Sequence, residues 1–90
     1  MSTARVAAIR ARLEAAFAPA QIVIIDDSAR HAGHAGARDG RGHFKVHIVS
    51  AAFAGMPPLA RHRAVYTALG ELMQTDIHAL QIEALPPAHG

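Results

Sequence analysis

The sequence predicts a two-layer α+β fold, a three-stranded sheet of mixed sense with its helices on one face. Three observations carry that reading. His43 to Ser50 alternates, with Phe44, Val46 and Ile48 on one side and His43, Lys45 and His47 on the other, the pattern of a strand covered on one face only. Gln21 to Asp26 is a β-branched run bounded by Pro19 and by Asp27-Ser28, and its continuous apolar character predicts a buried strand. Ile77 to Leu85 alternates again, with Leu80 and Ile82 on one side and Gln81 and Glu83 on the other, and residues 51–76 before it contain a helical pattern. A helical connection of that length joins parallel strands by a right-handed crossover, whereas the first two strands can pair antiparallel.

The helices follow from spacing. Val6, Ile9, Leu13, Ala16 and Phe17 recur at intervals of three and four, with Ser2 or Thr3 as N-cap and Pro19 as the stop. Arg5, Arg10 and Arg12 with no acid before Glu14 also resemble a transit peptide. The apolar periodicity instead makes this the first helix of the fold, because removing it would strip much of the core. Pro57 and Pro58 suit the opening turn of a second helix. Leu59, His62, Val65 or Tyr66, Leu69 and Met73 form its inner face, ending near Gln74. Between the first two strands, residues 27–42 hold Gly33, Gly36, Gly40 and Gly42 without periodicity. That loop exceeds the roughly 12–15 residues usual in a compact domain, and is expected to be poorly ordered. The order is α-β-β-α-β in one domain, residues 1–90.

Composition excludes several classes. A charged fraction of 18% beside 51% hydrophobic residues does not describe a disordered chain. The absence of cysteine removes disulfides, CxxC redox chemistry, thiolate nucleophiles and any self-contained Cys-held metal site. No apolar run approaches the ~20 residues of a membrane span, so the expectation is a cytoplasmic protein, with an organelle matrix left open. Ser28 and Ser50 lack a nucleophile-elbow sequence, Asp26-Asp27 has no second acidic cluster, and no phosphate-cradling glycine pattern follows a strand. An enzyme is not expected.

Seven histidines are the compositional oddity. His31 and His34 ride the glycine-rich loop. His43 and His47 share a strand face but stand about 13 Å apart, too far to chelate one ion. His62 lies on the apolar stripe of the second helix, where a hydrogen-bonded histidine supporting the fold is expected. His78 opens the third strand with the parity of Leu80 and Ile82, which places it near the sheet edge and holds it by packing. One fixed histidine and one or two on a mobile loop could form a two-nitrogen metal site, although loop histidines are more often simply solvated. The formal net charge is +2, too small to indicate nucleic-acid binding by itself.

Asp26-Asp27-Ser28 followed by His31, then His43-Phe44-Lys45-Val46, Ile48-Val49-Ser50, Phe53-x-Gly55, Arg61-His62-Arg63-x-Val65-Tyr66-x-x-Leu69 and Ile77-His78-Ala79-Leu80 resemble the BolA family. The resemblance covers nearly the whole chain. It implies an αββααβ fold similar to class II KH domains, and a protein that pairs with monothiol glutaredoxins of the CGFS type and shares a [2Fe–2S] cluster with them, in cluster assembly and trafficking or in iron and redox sensing. The family's ligand histidine maps onto His78. The second ligand falls in the loop, where His31 and His34 both remain candidates. With no thiolate of its own, the chain could hold one side of a cluster through imidazoles, as Rieske centres do. Thiolates of the glutaredoxin and of its glutathione would complete it, and no cofactor is expected on the isolated protein. Some family members act in stress responses and transcription, so a KH-like DNA-binding regulator is the alternative, with Lys45, Arg61 and Arg63 as its basic patch. The turn Phe53-Ala-Gly55-Met-Pro-Pro58 lacks the GxxG of a KH clamp. A homodimer of the cluster-free chain is also open.

Overall fold

The computed structural model describes residues 3–28 and 42–88. Helix α1 (Thr3–Phe17) leads into β1 (Ala20–Asp26). Strand β2 (Gly42–Ser50) ends in a 3-10 turn (Ala51–Phe53), and α2 (Pro58–Leu69), the short α3 (Leu72–Thr75) and β3 (Ile77–Leu85) follow. The sheet order is β1-β2-β3, with β1 antiparallel and β3 parallel to the central β2. Among the described residues no helix is long and apolar enough to cross a membrane.

Strand β2 organises the packing. Its even-numbered side chains, Phe44, Val46, Ile48 and Ser50, are buried beneath the helices, while His43, Lys45, His47 and Val49 are only partly covered. Ile9, Leu13 and Phe17 of α1 and Val65 and Leu69 of α2 close over that row. Phe17 meets Phe53 with ring centroids 4.8 Å apart and planes tilted by 38°. Ser50, 2% exposed, joins three elements: its hydroxyl donates to the Phe17 carbonyl at 2.8 Å and accepts the Ala52 N–H at 3.1 Å. Buried polar groups need such partners, since an unsatisfied carbonyl costs ~1–3 kcal/mol. Ser50 is therefore the cap of the 3-10 turn and a structural serine.

Strand β1 departs from the buried strand that its composition predicts. Val23 and Ile25 are each 51% exposed, because the outer face of the sheet carries no second layer of described residues. An apolar run bounded by turns does not by itself distinguish a central strand from an edge strand. The second helix also differs. It ends at Leu69, because Gly70 takes φ 54° and donates its N–H to the Tyr66 carbonyl at 3.0 Å. A backbone in that left-handed region favours glycine and turns the chain out of the helix. The turn lets α3 restart with Leu72 in the core. The αββααβ order implied by the family resemblance is the one observed.

Leu59, expected on the inner face of α2, is 60% exposed, and the buried residue of the Val65/Tyr66 alternative is Val65. Arg61 supplies the reason. Its Nε donates to the Met56 carbonyl at 2.8 Å and its Nη1 to the Ala84 carbonyl of β3 at 3.2 Å. With position 61 turned to β3, position 59 lies about 200° around the helix and faces away. His62 is half-buried and receives no hydrogen bond among the described residues, so the hydrogen-bonded role expected of it is not observed.

Two close fits generate predictions. A Cβ on Gly42 would lie 2.5 Å from Cε2 of Phe44 and 2.8 Å from Oγ of Ser28. The ring is a buried core group that cannot give way cheaply. Gly42→Ala is expected to destabilise the fold by about 1–3 kcal/mol, the usual cost of overpacking, read as a lower urea midpoint with unchanged slope. Asp76 receives a hydrogen bond from the Thr75 hydroxyl and is paired with Arg5 at 3.2 Å, which together hold its carboxyl below the usual 3.8 against an opposing effect of burial. A depressed carboxylate pKa contributes stability above the unfolded value and loses it as pH falls through the folded one. Asp76→Asn is therefore expected to cost ~0.5–1 kcal/mol at neutral pH for this part-exposed pair. The difference from the parent chain should shrink to nothing in acid, measured as urea midpoints across the pH range.

Candidate metal-ligating site

The mouth of the long loop is where the sequence places its chemistry, and local hydrogen bonds build it. Oδ1 of Asp26 accepts the Ser28 N–H at 2.9 Å, turning the chain at the end of β1. The Ser28 hydroxyl then accepts the His43 N–H at 3.0 Å, and Asp27 donates its own N–H to the His43 carbonyl at 2.7 Å. Both ends of the loop are thus clamped on the backbone of His43. Gly42 donates to the Asp76 carbonyl at 2.9 Å, which ties the same point to the start of β3. The Asp-Asp-Ser sequence therefore fixes the end of β1 against the start of β2.

His78 arrives at this point by an irregularity. In the parallel ladder Gly42 is opposite Ile77 but His43 is opposite Ala79, so β3 carries one extra residue there. A bulge of this kind re-aims a side chain. Ile77 is buried at 1%, whereas His78 is exposed and leaves the row of Leu80 and Ile82 that its parity assigns it. It is held by the bulge rather than by core packing. The His78 ring lies beside that of His43, centroids 5.2 Å apart and planes tilted by 54°. His43 was absent from the sequence-derived ligand candidates. The signal lay in the strand starts: a parallel pair that begins at His43-Phe44 and at Ile77-His78 brings those two histidines side by side.

His31 and His34 lie outside the described residues, between the clamped ends at Ser28 and Gly42. Two imidazoles can occupy one iron of a two-iron cluster when thiolates from another molecule hold the second iron. The donor set fits that arrangement, with two ring systems adjacent and no cysteine in the chain. No group of three or more potential ligands occurs among the described residues, so these alone do not form a closed metal site.

The remaining candidates are basic side chains. Lys45 sits on the open face of the sheet with Nζ 4.0 Å from Asp27, Arg61 is committed to two carbonyls, and Arg63 is exposed on α2. A groove of about 560 Å³ is lined by Val23, Ile25, His47 and Glu83 of the sheet and by His62 and Tyr66 of α2, among others, and neither His43 nor His78 borders it. There His47 Nδ1 meets Glu83 Oε1 at 2.6 Å across directly opposed positions of β2 and β3.

Comparison with known proteins identifies the family of the chain. The family described as BolA-like protein matches residues 13–89. BolA-like protein 1 of Mus musculus is 46% identical over 82 residues, which cover 91% of this chain and 58% of the relative, so the chain spans little more than half that protein's length. The DNA-binding transcriptional regulator BolA of Escherichia coli (strain K12) is 42% identical over 74 residues, 82% of this chain and 68% of the relative. The solved BolA domain of SufE1 from Arabidopsis thaliana superposes with a TM-score of 0.79 at 38% identity, covering 92% of each chain. The family model matching residues 13–89, together with these relatives and the superposed BolA domain, makes this protein a member of the BolA-like family.

Proposed function

We propose that this chain is a non-catalytic partner of a monothiol CGFS glutaredoxin and co-ligates a shared [2Fe–2S] cluster through His78 and a second imidazole, in iron–sulfur cluster assembly, trafficking or sensing. The observation that carries this reading is the approach of the His43 and His78 rings at the mouth of a loop that itself contains His31 and His34. The cluster would supply the redox-active iron, and its remaining thiolates would come from the glutaredoxin and its glutathione. The residues of this chain do the rest. The β3 bulge fixes one imidazole in solvent, where a partner can reach it. The Ser28 and Asp27 hydrogen bonds fix the backbone that carries His43 and anchor the loop that delivers His31 or His34. Only a neutral imidazole coordinates a metal, so binding should weaken as pH falls through the histidine range. His31 and His34 are both candidates for the second ligand, and the His43 ring stands 5.2 Å from that of His78. Membership beside a domain of a protein named SufE1 is compatible with this reading.

DNA binding is the second reading, favoured by the name of the Escherichia coli relative. It is ranked below the first because Arg61 is engaged within the fold and Lys45 stands 4.0 Å from the Asp27 carboxylate.

Titration of cluster-loaded glutaredoxin with this chain under anaerobic conditions, followed by visible absorption and circular dichroism, tests the proposal. The parent chain is expected to convert the spectrum to a histidine-ligated form. His78→Ala, a substitution at an exposed site, should abolish that conversion. His31→Ala and His34→Ala should each weaken it in part, and the double substitution should match His78→Ala. Conversion by the His78 variant equal to that of the parent would refute the two-imidazole site and leave apolar docking of the two proteins as the account. Binding of duplex DNA, if present, should fall steeply with added salt and with Arg63→Ala, since phosphate contacts dominate. Tight, salt-resistant, sequence-selective binding would reverse the ranking.

A further inference from the structure

The outer edge of β1 has the makings of a pairing surface. Asp27 donates its N–H to the carbonyl of His43, the residue opposite it when the β1–β2 register is continued by one step. In an antiparallel ladder this phase makes Gln21, Val23 and Ile25 the residues whose backbone groups bond to β2. Ala20, Ile22, Ile24 and Asp26 then turn their N–H and C=O groups to the outer edge. The hydrogen bond from Arg10 Nη1 to the Ile22 carbonyl, 3.1 Å long, agrees with that phase. No strand of the described residues lies beyond β1. From Ala20 to Ile25 the edge has no charge and no proline, and Val23 and Ile25 are each 51% exposed on the open face. Natural edges usually carry such interruptions, because a flat apolar edge recruits other chains.

We propose that the outer edge of β1 is a self-pairing surface for a second copy of this chain, and that Arg10 holds it shut by occupying the Ile22 carbonyl. The self-complementary register has its two-fold at Val23. Val23 meets its own counterpart as a non-hydrogen-bonded pair, with Cα atoms about 4.5 Å apart. Ile22 exchanges two hydrogen bonds with Ile24 of the second copy, so both Ile22 carbonyls are required. Gln21 faces Ile25 and Ala20 faces Asp26, so no like charges oppose one another. The carbonyl that Arg10 occupies in each copy is therefore the acceptor that pairing needs. The opposite edge is closed in the same manner, since Arg61 of α2 donates to the Ala84 carbonyl of β3. Each free edge of the sheet thus carries one guanidinium from an overlying helix, and a guanidinium keeps its charge and its donors at any physiological pH.

Sedimentation velocity from low to high micromolar concentration tests the proposal. The parent chain and Val23→Lys are expected to sediment alike, without pairing through β1. Arg10→Ala should shift the chain to a dimer, and Arg10→Ala combined with Val23→Lys should return it to monomer by setting two ammonium groups across the two-fold. Arg10→Met, which keeps the aliphatic stem over the helix, makes the same test should the alanine variant lose helicity by far-ultraviolet circular dichroism. Amide exchange in the dimer should slow at Ile24, whose N–H faces outward, and stay unchanged at Val23. A folded Arg10 variant that remains monomeric throughout would overturn the proposal, as would a dimer that Val23→Lys leaves intact. A parent chain that already dimerises and is dissociated by Val23→Lys would show that Arg10 does not close the edge. Ile24 protection in a monomeric parent at every concentration would mean that another part of the same chain covers it.

Discussion

Strand β2 buries Phe44, Val46, Ile48 and Ser50 in one row, and that row commits its neighbours. Because the side-chain period of a strand is two, sliding β2 by one residue would put His43, Lys45 and His47 beneath the helices. Desolvating those three groups without partners is far costlier than leaving them where they are. The register is therefore strongly specified, and both partners read from it, β1 antiparallel and β3 parallel. Ser50 ends the row by joining the strand to the last carbonyl of α1, which sets where the helix layer stops.

The histidine site is a consequence of how that row begins. Gly42 has room only for a hydrogen, with Phe44 on one side and Ser28 on the other. The close approach brings the two ends of the loop together, and the register shift at the same step turns His78 out of the core row toward His43. A site for a ligand shared with another protein needs donors that are fixed yet open to solvent. Here the fixing is done by backbone hydrogen bonds and a bulge, so the His78 imidazole remains exposed. The Arg5–Asp76 pair and the bond from Gly42 to the Asp76 carbonyl secure the chain two residues before His78, linking the site to α1.

Among the described residues the sheet has one uncovered face and two edges with no further strand, an arrangement exposed to unwanted strand addition. This chain answers with side chains that leave the helices and bond the edges, Arg10 at Ile22 and Arg61 at Ala84. Arg61 lies within the sequence motif shared with the family, yet its donors are directed inward to carbonyls. Arg61 is thus engaged within the fold by two backbone acceptors.

Much of the fold is legible in the sequence, because its signals are local. The alternation of residues 43–50 and 77–85, the helical spacing of Ile9, Leu13 and Phe17, and the length of the connection between β2 and β3 report which face is buried and which strands run parallel. The motifs around His43, Arg61 and His78 identify the family for the same reason: they are short, contiguous and specific. What the sequence leaves open depends on residues far apart in the chain. The exposure of Val23 and Ile25 follows from the absence of a second layer among the described residues, which no property of residues 21–26 announces. The outward turn of Leu59 follows from Arg61 finding carbonyls on β3, and the end of α2 from the backbone conformation at Gly70. The departure of His78 from the row of Leu80 and Ile82 requires a bulge, and a bulge exists only between two strands already in register. Local pattern determined the elements, the buried face and the family, whereas tertiary contact alone decided which polar groups meet, because a side chain's partner is set by the register of the strands and not by its own neighbours in sequence.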